Sequence, residues 1–229
     1  MTKTRTKPAK RALRAKPAAA KIRVRDPERT SAAILAAAVR EFTEKGFAGA
    51  RVDGIAKRAG ANKRMLYHYF GDKEALYLAV LESAYVGIRS AEAKLHLRDL
   101  DPIRAIRELC LFTWHYYIAH PEFLSILQTE NLHRAGYLKR SARIFDLNSP
   151  LIGIIADALK KGAKSGTFRA DADALETYIT IAALGFFYLS NRWTLSTVFG
   201  RDLTTPKMLE GWGEHMVDVV LSYLAARKR

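Results

Sequence analysis

Cations and phenol hydroxyls crowd the front of one short stretch of this chain. After the turn at Ala59-Gly60 come Asn62, Lys63, Arg64, Met65, Leu66, Tyr67, His68, Tyr69 and Phe70, then Gly71-Asp72-Lys73. Asn62 is a good helix N-cap, so Lys63 and Arg64 fall in the first turn of the helix that it opens. An arginine there can fork onto a guanine edge, and a lysine can reach a base or a phosphate. Tyr67 lies three residues beyond Arg64 and four beyond Lys63, on the same face, where its hydroxyl can donate to a phosphate. His68 and Tyr69 flank that face, while Leu66 and Phe70 point inward. Lys73 opens the following helix, and its ammonium can share one phosphate with that helix's free N–H groups. This is the chemistry of a helix laid into a DNA major groove. The bland alternative is an ordinary helical hairpin with a solvated basic face.

A helix can enter a groove only if other elements hold it, and the surrounding punctuation supplies them. Asp26-Pro27-Glu28 reads as a helix start, with a capping carboxylate, proline in the first turn and an acid at the positive end. Ile34, Leu35, Ala38, Val39 and Phe42 follow at helical spacing, and Gly46 ends the segment. A short helix over Val52–Arg58 buries Val52, Ile55, Ala56 and Ala59. Gly60 makes the turn to the Lys63–Phe70 helix, and Asp72 caps a longer one running from Lys73 towards residue 96. The short helix is expected to be marginal until packed. Ala50 gives it no capping side chain, a loss of roughly 1 kcal/mol, and Gly54 costs about as much again.

At these residues the resemblance is plain. Residues 28–88 resemble the N-terminal three-helix domain of the TetR/AcrR family of one-component transcriptional regulators. The matching residues are Ile55-Ala56, Ala59-Gly60, Leu66-Tyr67, Tyr69-Phe70 and Lys73-Glu74-Ala75-Leu76. The resemblance implies that Arg51, Asn62, Lys63, Arg64, Tyr67, His68, Tyr69 and Lys73 occupy DNA-contacting positions. It also implies a homodimer on a palindromic double-stranded operator, with a larger C-terminal domain for a small-molecule effector.

The second half continues the helical punctuation. Asp101-Pro102 opens a helix that must end before Pro121, and another covers about Glu122–Asn131. Ser149-Pro150 opens one ending near Lys164–Gly166, Asp171 or Asp173 begins a long apolar one to about residue 198, and Thr205-Pro206 opens the last. The fold expected is all-α with about nine helices. Its parts are a basic arm at 1–26, a helix-turn-helix domain at 27–88, and an effector-binding and dimerisation domain at 89–229. The long apolar segment 174–198 and the stripe Trp212–Leu224 are each more apolar than a lone helix needs, as a two-plus-two helix dimer interface would require.

Two polar sets in that half are candidates for effector binding: Glu130, Asn131 and Arg134, and Tyr188, Asn191 and Arg192. Trp114, Tyr117 and Phe187 could form apolar walls between them. The structural alternative makes Glu130 and Arg134 an ion pair and has Asn191 and Arg192 cap a helix or brace the dimer. The runs 130–137 and 188–193 resemble a branch of the family that includes regulators of nicotinate and pyrimidine use. That resemblance transfers no ligand.

Charge and composition bound the rest. The net charge is +15, and ten of the cations lie in residues 1–25 with no acid among them, leaving 28 cations against 23 anions beyond. An arm so poor in apolar residues is expected to be unstructured when free. It is either a solvated tail or a tether that adds salt-sensitive DNA affinity. It lacks the apolar stretch of a secretory signal, no run reaches a membrane-spanning length, and the single Cys110 fits a reducing cytoplasm. The six histidines form no metal pattern, and no nucleophile elbow or phosphate loop is present. The expectation is a cytoplasmic DNA-binding regulator with no cofactor, no metal, no membrane partner and no catalytic site. The alternative is a constitutive architectural DNA-binding protein without an effector.

Overall fold

In the computed structural model, which describes residues 26–226, nine α-helices and two 3-10 turns account for nearly all regular structure. Among the described residues the only β contact is an isolated bridge between Phe168 and Ala225. The basic arm and its tether role lie outside the described residues.

Three helices make the N-terminal unit, and each begins where a local signal puts it. Helix α1 (Pro27–Gly49) starts at Asp26, whose carboxylate accepts the Arg29 N–H. Its backbone breaks at Gly46, where φ is 65°, so the last turn is offset from the rest. Helix α2 (Val52–Arg58) and helix α3 (Lys63–Phe70) are joined through Gly60 at φ 62°, a left-handed turn that a side chain would strain. Asn62 caps α3 by accepting from the Met65 N–H, and Asp72 caps α4 (Lys73–Ala93) by accepting from Ala75. Ile34, Ala38, Phe42, Ile55, Leu66, Leu76, Tyr77 and Val80 close one core around these caps.

Helix α4 continues past residue 88 into the second domain, where Ile88 joins Trp114, Tyr117, Phe123, Tyr188 and Met216 in a separate cluster. The C-terminal domain adds α5 (Pro102–Ala119), α6 (Pro121–Leu132), α7 (Ile144–Lys164), α8 (Ala174–Phe199) and α9 (Pro206–Leu224). One expected boundary is corrected. Helix α7 starts at Ile144, six residues before Pro150, and carries that proline in its second turn. Proline so near a helix start forfeits one N–H···O bond, and Asn148 Nδ2 donates to the Ile144 carbonyl at 2.7 Å to hold the opening turn. Asp173, not Asp171, caps α8 through the Glu176 N–H.

The outer face of α8 is apolar and open. Leu175, Ile179 and Phe187 are each more than half exposed and share one stripe, and Trp193, Val198 and Phe199 extend exposure to the helix end. No described helix is long and apolar enough to cross a membrane.

Candidate functional site

The front of α3 carries Lys63, Arg64, Tyr67 and His68 to solvent, while Leu66 is fully buried beneath them. Arg64 makes no hydrogen bond or ion pair among the described residues, so its guanidinium is available to a ligand. Lys63 instead lies 3.2 Å from Asp53 on α2, which raises its pKa. Both groups are exposed, so the pair is weak and easily exchanged for a phosphate. Tyr69 is half-buried against the core with its ring edge-on to His68 at 5.2 Å. Asn62 has its side-chain oxygen engaged in the cap.

Lys73 departs from the simple picture of an ammonium held out at a helix N-terminus. It is half-buried, its Nζ sits 4.7 Å over the Phe47 ring, and burial lowers its pKa. Phe47 in turn stacks on Phe42 and meets Tyr77 and Tyr137. The lysine is thus seated on an aromatic stack that runs back towards the second domain.

The residue that sequence reading missed here is Glu41. It is 1% exposed, on the core face of α1. Its Oε1 accepts from Lys45 Nζ at 2.7 Å and faces the Arg51 N–H at 3.4 Å, and its Oε2 lies 3.3 Å from Arg58. The Lys45 hydrogen bond, first, and the Arg51 N–H and both cations hold its carboxyl below the usual range against the opposing cost of burial. Arg58 makes a two-pronged pair with Glu44 as well, at 2.7 Å on each side. Helix α2 therefore has an N-terminal carboxylate after all, supplied by α1 rather than by position 50. Gly54 also changes meaning. A Cβ there would lie 2.8 Å from Glu41 Oε1, so the glycine makes room for the acid. Arg51, whose N–H meets that acid, keeps its side chain exposed at the start of α2.

The two polar sets expected around an effector have different surroundings, with Tyr188 packed in one cluster with Trp114 and Tyr117. Glu130 is buried at the junction with the N-terminal unit, and its Oε1 accepts the backbone N–H groups of Tyr137 at 2.9 Å and Leu138 at 2.8 Å. It makes no ion pair with Arg134, since α6 ends at Leu132 and Arg134 turns left-handed at φ 56° on the surface. Asn131 bonds back to the Leu127 carbonyl. On α8, Asn191 donates to Phe187 O, and Arg192 donates to Leu189 O while covering the Trp193 ring. Tyr188 donates to Leu203 O at 2.9 Å and packs edge-on to Trp114, whose own Nε1 donates to Leu209 O at 2.9 Å. The polar atoms of Tyr188, Asn191 and Trp114 are thus engaged within the fold, whereas Glu130 Oε2 is buried with no hydrogen-bond partner among the described residues. Phe187 is 60% exposed on the outer stripe.

Tyr117 stands beside a second set of charged and phenolic groups. Its neighbours include Arg89 and Glu92 of α4, Tyr85 one turn before Arg89, and Tyr178 of α8. Sequence reading missed these four. The available signal was a charged pair at 89 and 92 on the same helical stripe as the buried Leu81 and Ile88. Elsewhere, an open groove of about 650 Å³ lies where α1, α4 and α6 meet, lined by Leu35, Val39, Arg40, Thr43, Ser83 and Glu122, and contains none of the expected effector residues. No group of three or more His, Cys, Asp or Glu among the described residues is placed to hold a metal.

This architecture has known relatives. The family model described as bacterial regulatory proteins, tetR family, matches residues 34–80, and that of the tetracyclin repressor-like C-terminal domain matches residues 102–220. The HTH-type transcriptional repressor NicS of Pseudomonas putida is 40% identical over 200 residues, covering 87% of this chain and 94% of that protein. The HTH-type transcriptional regulator RutR of Escherichia coli is 45% identical over 76 residues, 33% of this chain and 35% of its own length. Among solved structures, the ketosteroid transcriptional regulator KstR2 of Mycobacterium tuberculosis shares the fold, with a TM-score of 0.64 at 23% identity over 86% of this chain and 95% of that one. The chain belongs to the TetR family of bacterial regulatory proteins. It is a helix-turn-helix, sequence-specific DNA-binding transcriptional regulator.

Proposed function

We propose that this chain is a cytoplasmic homodimeric repressor that leaves a palindromic operator when a small organic effector binds its C-terminal domain. The observation that carries the DNA half is the exposed front of α3, where Arg64 stands unpaired beside Lys63 and Tyr67 on a buried Leu66 anchor. In this reading Arg64 reads a base edge, and Lys63, Tyr67, Lys73 and the exposed Arg51 grip phosphates. His68, Tyr69 and Asn62 fix the helix at the groove wall. NicS, which matches most of this chain, is named a repressor, and that supports the sign of regulation. The open stripe of Leu175, Ile179 and Phe187 on α8 supports the dimer, because apolar side chains of that size gain most when a second copy covers them.

Release follows as a population shift. Two recognition helices grip successive major grooves only when about 34 Å apart, and an effector that prefers a dimer with another spacing lowers operator affinity by its differential affinity and no more. The junction between the domains supplies the lever. Tyr137 packs on Phe47 and Tyr77 at 4.6 and 5.1 Å, Arg140 bonds Glu74 at 2.6 Å, and Ser141 bonds Glu82 at 2.6 Å. A shift of α6 therefore moves the aromatic stack on which Lys73 sits.

Quantitative binding of the full chain to a selected operator and to variants of it tests this. Arg64→Ala should cost about 1–3 kcal/mol and relax preference at one base position. Tyr67→Phe and Lys73→Ala should weaken all sequences alike, with the salt slope reduced by about 1 for the lysine. A uniform loss for Arg64→Ala would remove it from the base-reading role.

A further inference from the structure

In the C-terminal domain, Arg89 is an arginine with too few partners. Its side chain is 11% exposed, and neither Nε nor Nη1 makes a hydrogen bond. Nη1 lies 2.9 Å from Glu92 Oε2, close enough for an ion pair but not aligned for a bond. The guanidinium carbon stands 5.6 Å from the centroid of Tyr178. Tyr85, Tyr116 and Tyr117 also lie within electrostatic reach of it. The hydroxyls of Tyr85, Tyr117 and Tyr178 make no hydrogen bond among the described residues. The Tyr178 ring thus lies against a half-satisfied guanidinium, with the three other phenols of α4 and α5 in its electrostatic surroundings.

A buried guanidinium donor left unmade costs more than a neutral one, so a site of this kind favours a group that supplies acceptors. We propose that Arg89, with Tyr117 and Tyr178, receives the carboxylate of a small aromatic acid, which takes Arg89 from Glu92. A planar carboxylate brings two acceptor oxygens to the orphan donors, and the phenol hydroxyls can donate to the same group. The surrounding rings offer flat apolar faces to an aromatic body. A dianion such as phosphate fits less well, because one guanidinium facing Glu92 balances a single negative charge. Glu92 is the internal competitor that keeps the site closed without ligand. Burial raises its pKa to about 7, so it can turn neutral once Arg89 is taken from it. Because α4 also carries Lys73 and Tyr77, a group that binds Arg89 acts on the helix that opens at the DNA face. The inference rests on the effector-responsive reading above.

The test uses the full chain, with benzoate as the carboxylate probe and benzamide as its neutral counterpart, followed by calorimetry and by operator binding in parallel. Benzoate should bind, and benzamide at least about tenfold more weakly. Glu92→Gln should tighten benzoate by about tenfold by removing the competitor, and Arg89→Gln with Glu92→Gln should abolish the preference for benzoate over benzamide. The double variant leaves no unpaired charge, and a denaturant melt of each variant checks that it folds. Equal binding of benzamide, a preference that survives in the double variant, or no benzoate binding in the millimolar range would each overturn the assignment. Benzoate bound through Arg89 with operator affinity unchanged would uphold the site and instead overturn its role in release.

Discussion

Glu41 in the DNA-binding unit and Glu92 in the C-terminal domain are both buried acids on the core face of a helix, yet their surroundings are opposite. Glu41 meets Lys45, Arg58 and a backbone N–H, and its pKa is lowered. Glu92 meets only Arg89, itself short of partners, and its pKa is raised to about 7. A closed polar network fixes one shape, as a helix that must present Arg64 to a groove requires. An open network leaves charge uncommitted, which suits a domain that must answer a ligand. The same residue type therefore serves rigidity at one end of the chain and responsiveness at the other.

Glu41→Ala gives the largest expected effect. It removes the acid facing the start of α2 and its bonds to Lys45 and Arg58, both partly exposed, and should cost about 3 kcal/mol of stability by denaturant unfolding. Loss of less than about 1 kcal/mol would mean that the network is ornamental. Next comes pH. Both folded and unfolded chains hold the Glu92 proton below about 4.5, and only the folded chain holds it up to about 7. Stability should therefore fall as pH rises across that window, by about 3 kcal/mol at most, and Glu92→Gln should flatten that component. A profile unchanged by Glu92→Gln would show that Arg89 satisfies the acid fully. Gly54→Ala inverts a common rule. Alanine favours a helix by about 1 kcal/mol, but its Cβ would press on Glu41 at 2.8 Å and disturb three contacts, so a net loss of about 1 kcal/mol is expected in thermal melts. In the Glu41→Ala background the same change should stabilise. Smallest is Arg140→Ala, which breaks an exposed pair with Glu74 and should shift unfolding by less than about 0.5 kcal/mol.

The parts of this fold that local signals control were legible in the sequence. Asn62, Asp72, Asp101 and Thr205 cap the helices expected of them, and Gly60 makes the expected turn. Pro150 misled because proline at a helix start and proline in a second turn look alike without the upstream caps. Glu41 was missed because its partners at 51 and 58 are brought to it by the tertiary fold, although an acid on the stripe of Ile34, Ala37 and Ala38 was a visible clue. The same clue marked Arg89 and Glu92. The surroundings of the expected effector sets were hidden for a related reason. Helical spacing groups residues within one helix, but it does not say that Glu130 caps a loop at the domain junction while Tyr188 bonds Leu203 across the other cluster.

The most direct test of the central claim is selection of bound fragments from genomic DNA by the purified full chain at physiological salt, followed by footprinting. The account predicts a two-fold symmetric site whose half-sites lie about one helical turn apart, strongly preferred over random DNA. Uniform binding without a motif, lost as salt rises, would contradict it and leave an architectural protein held to DNA by its basic charge.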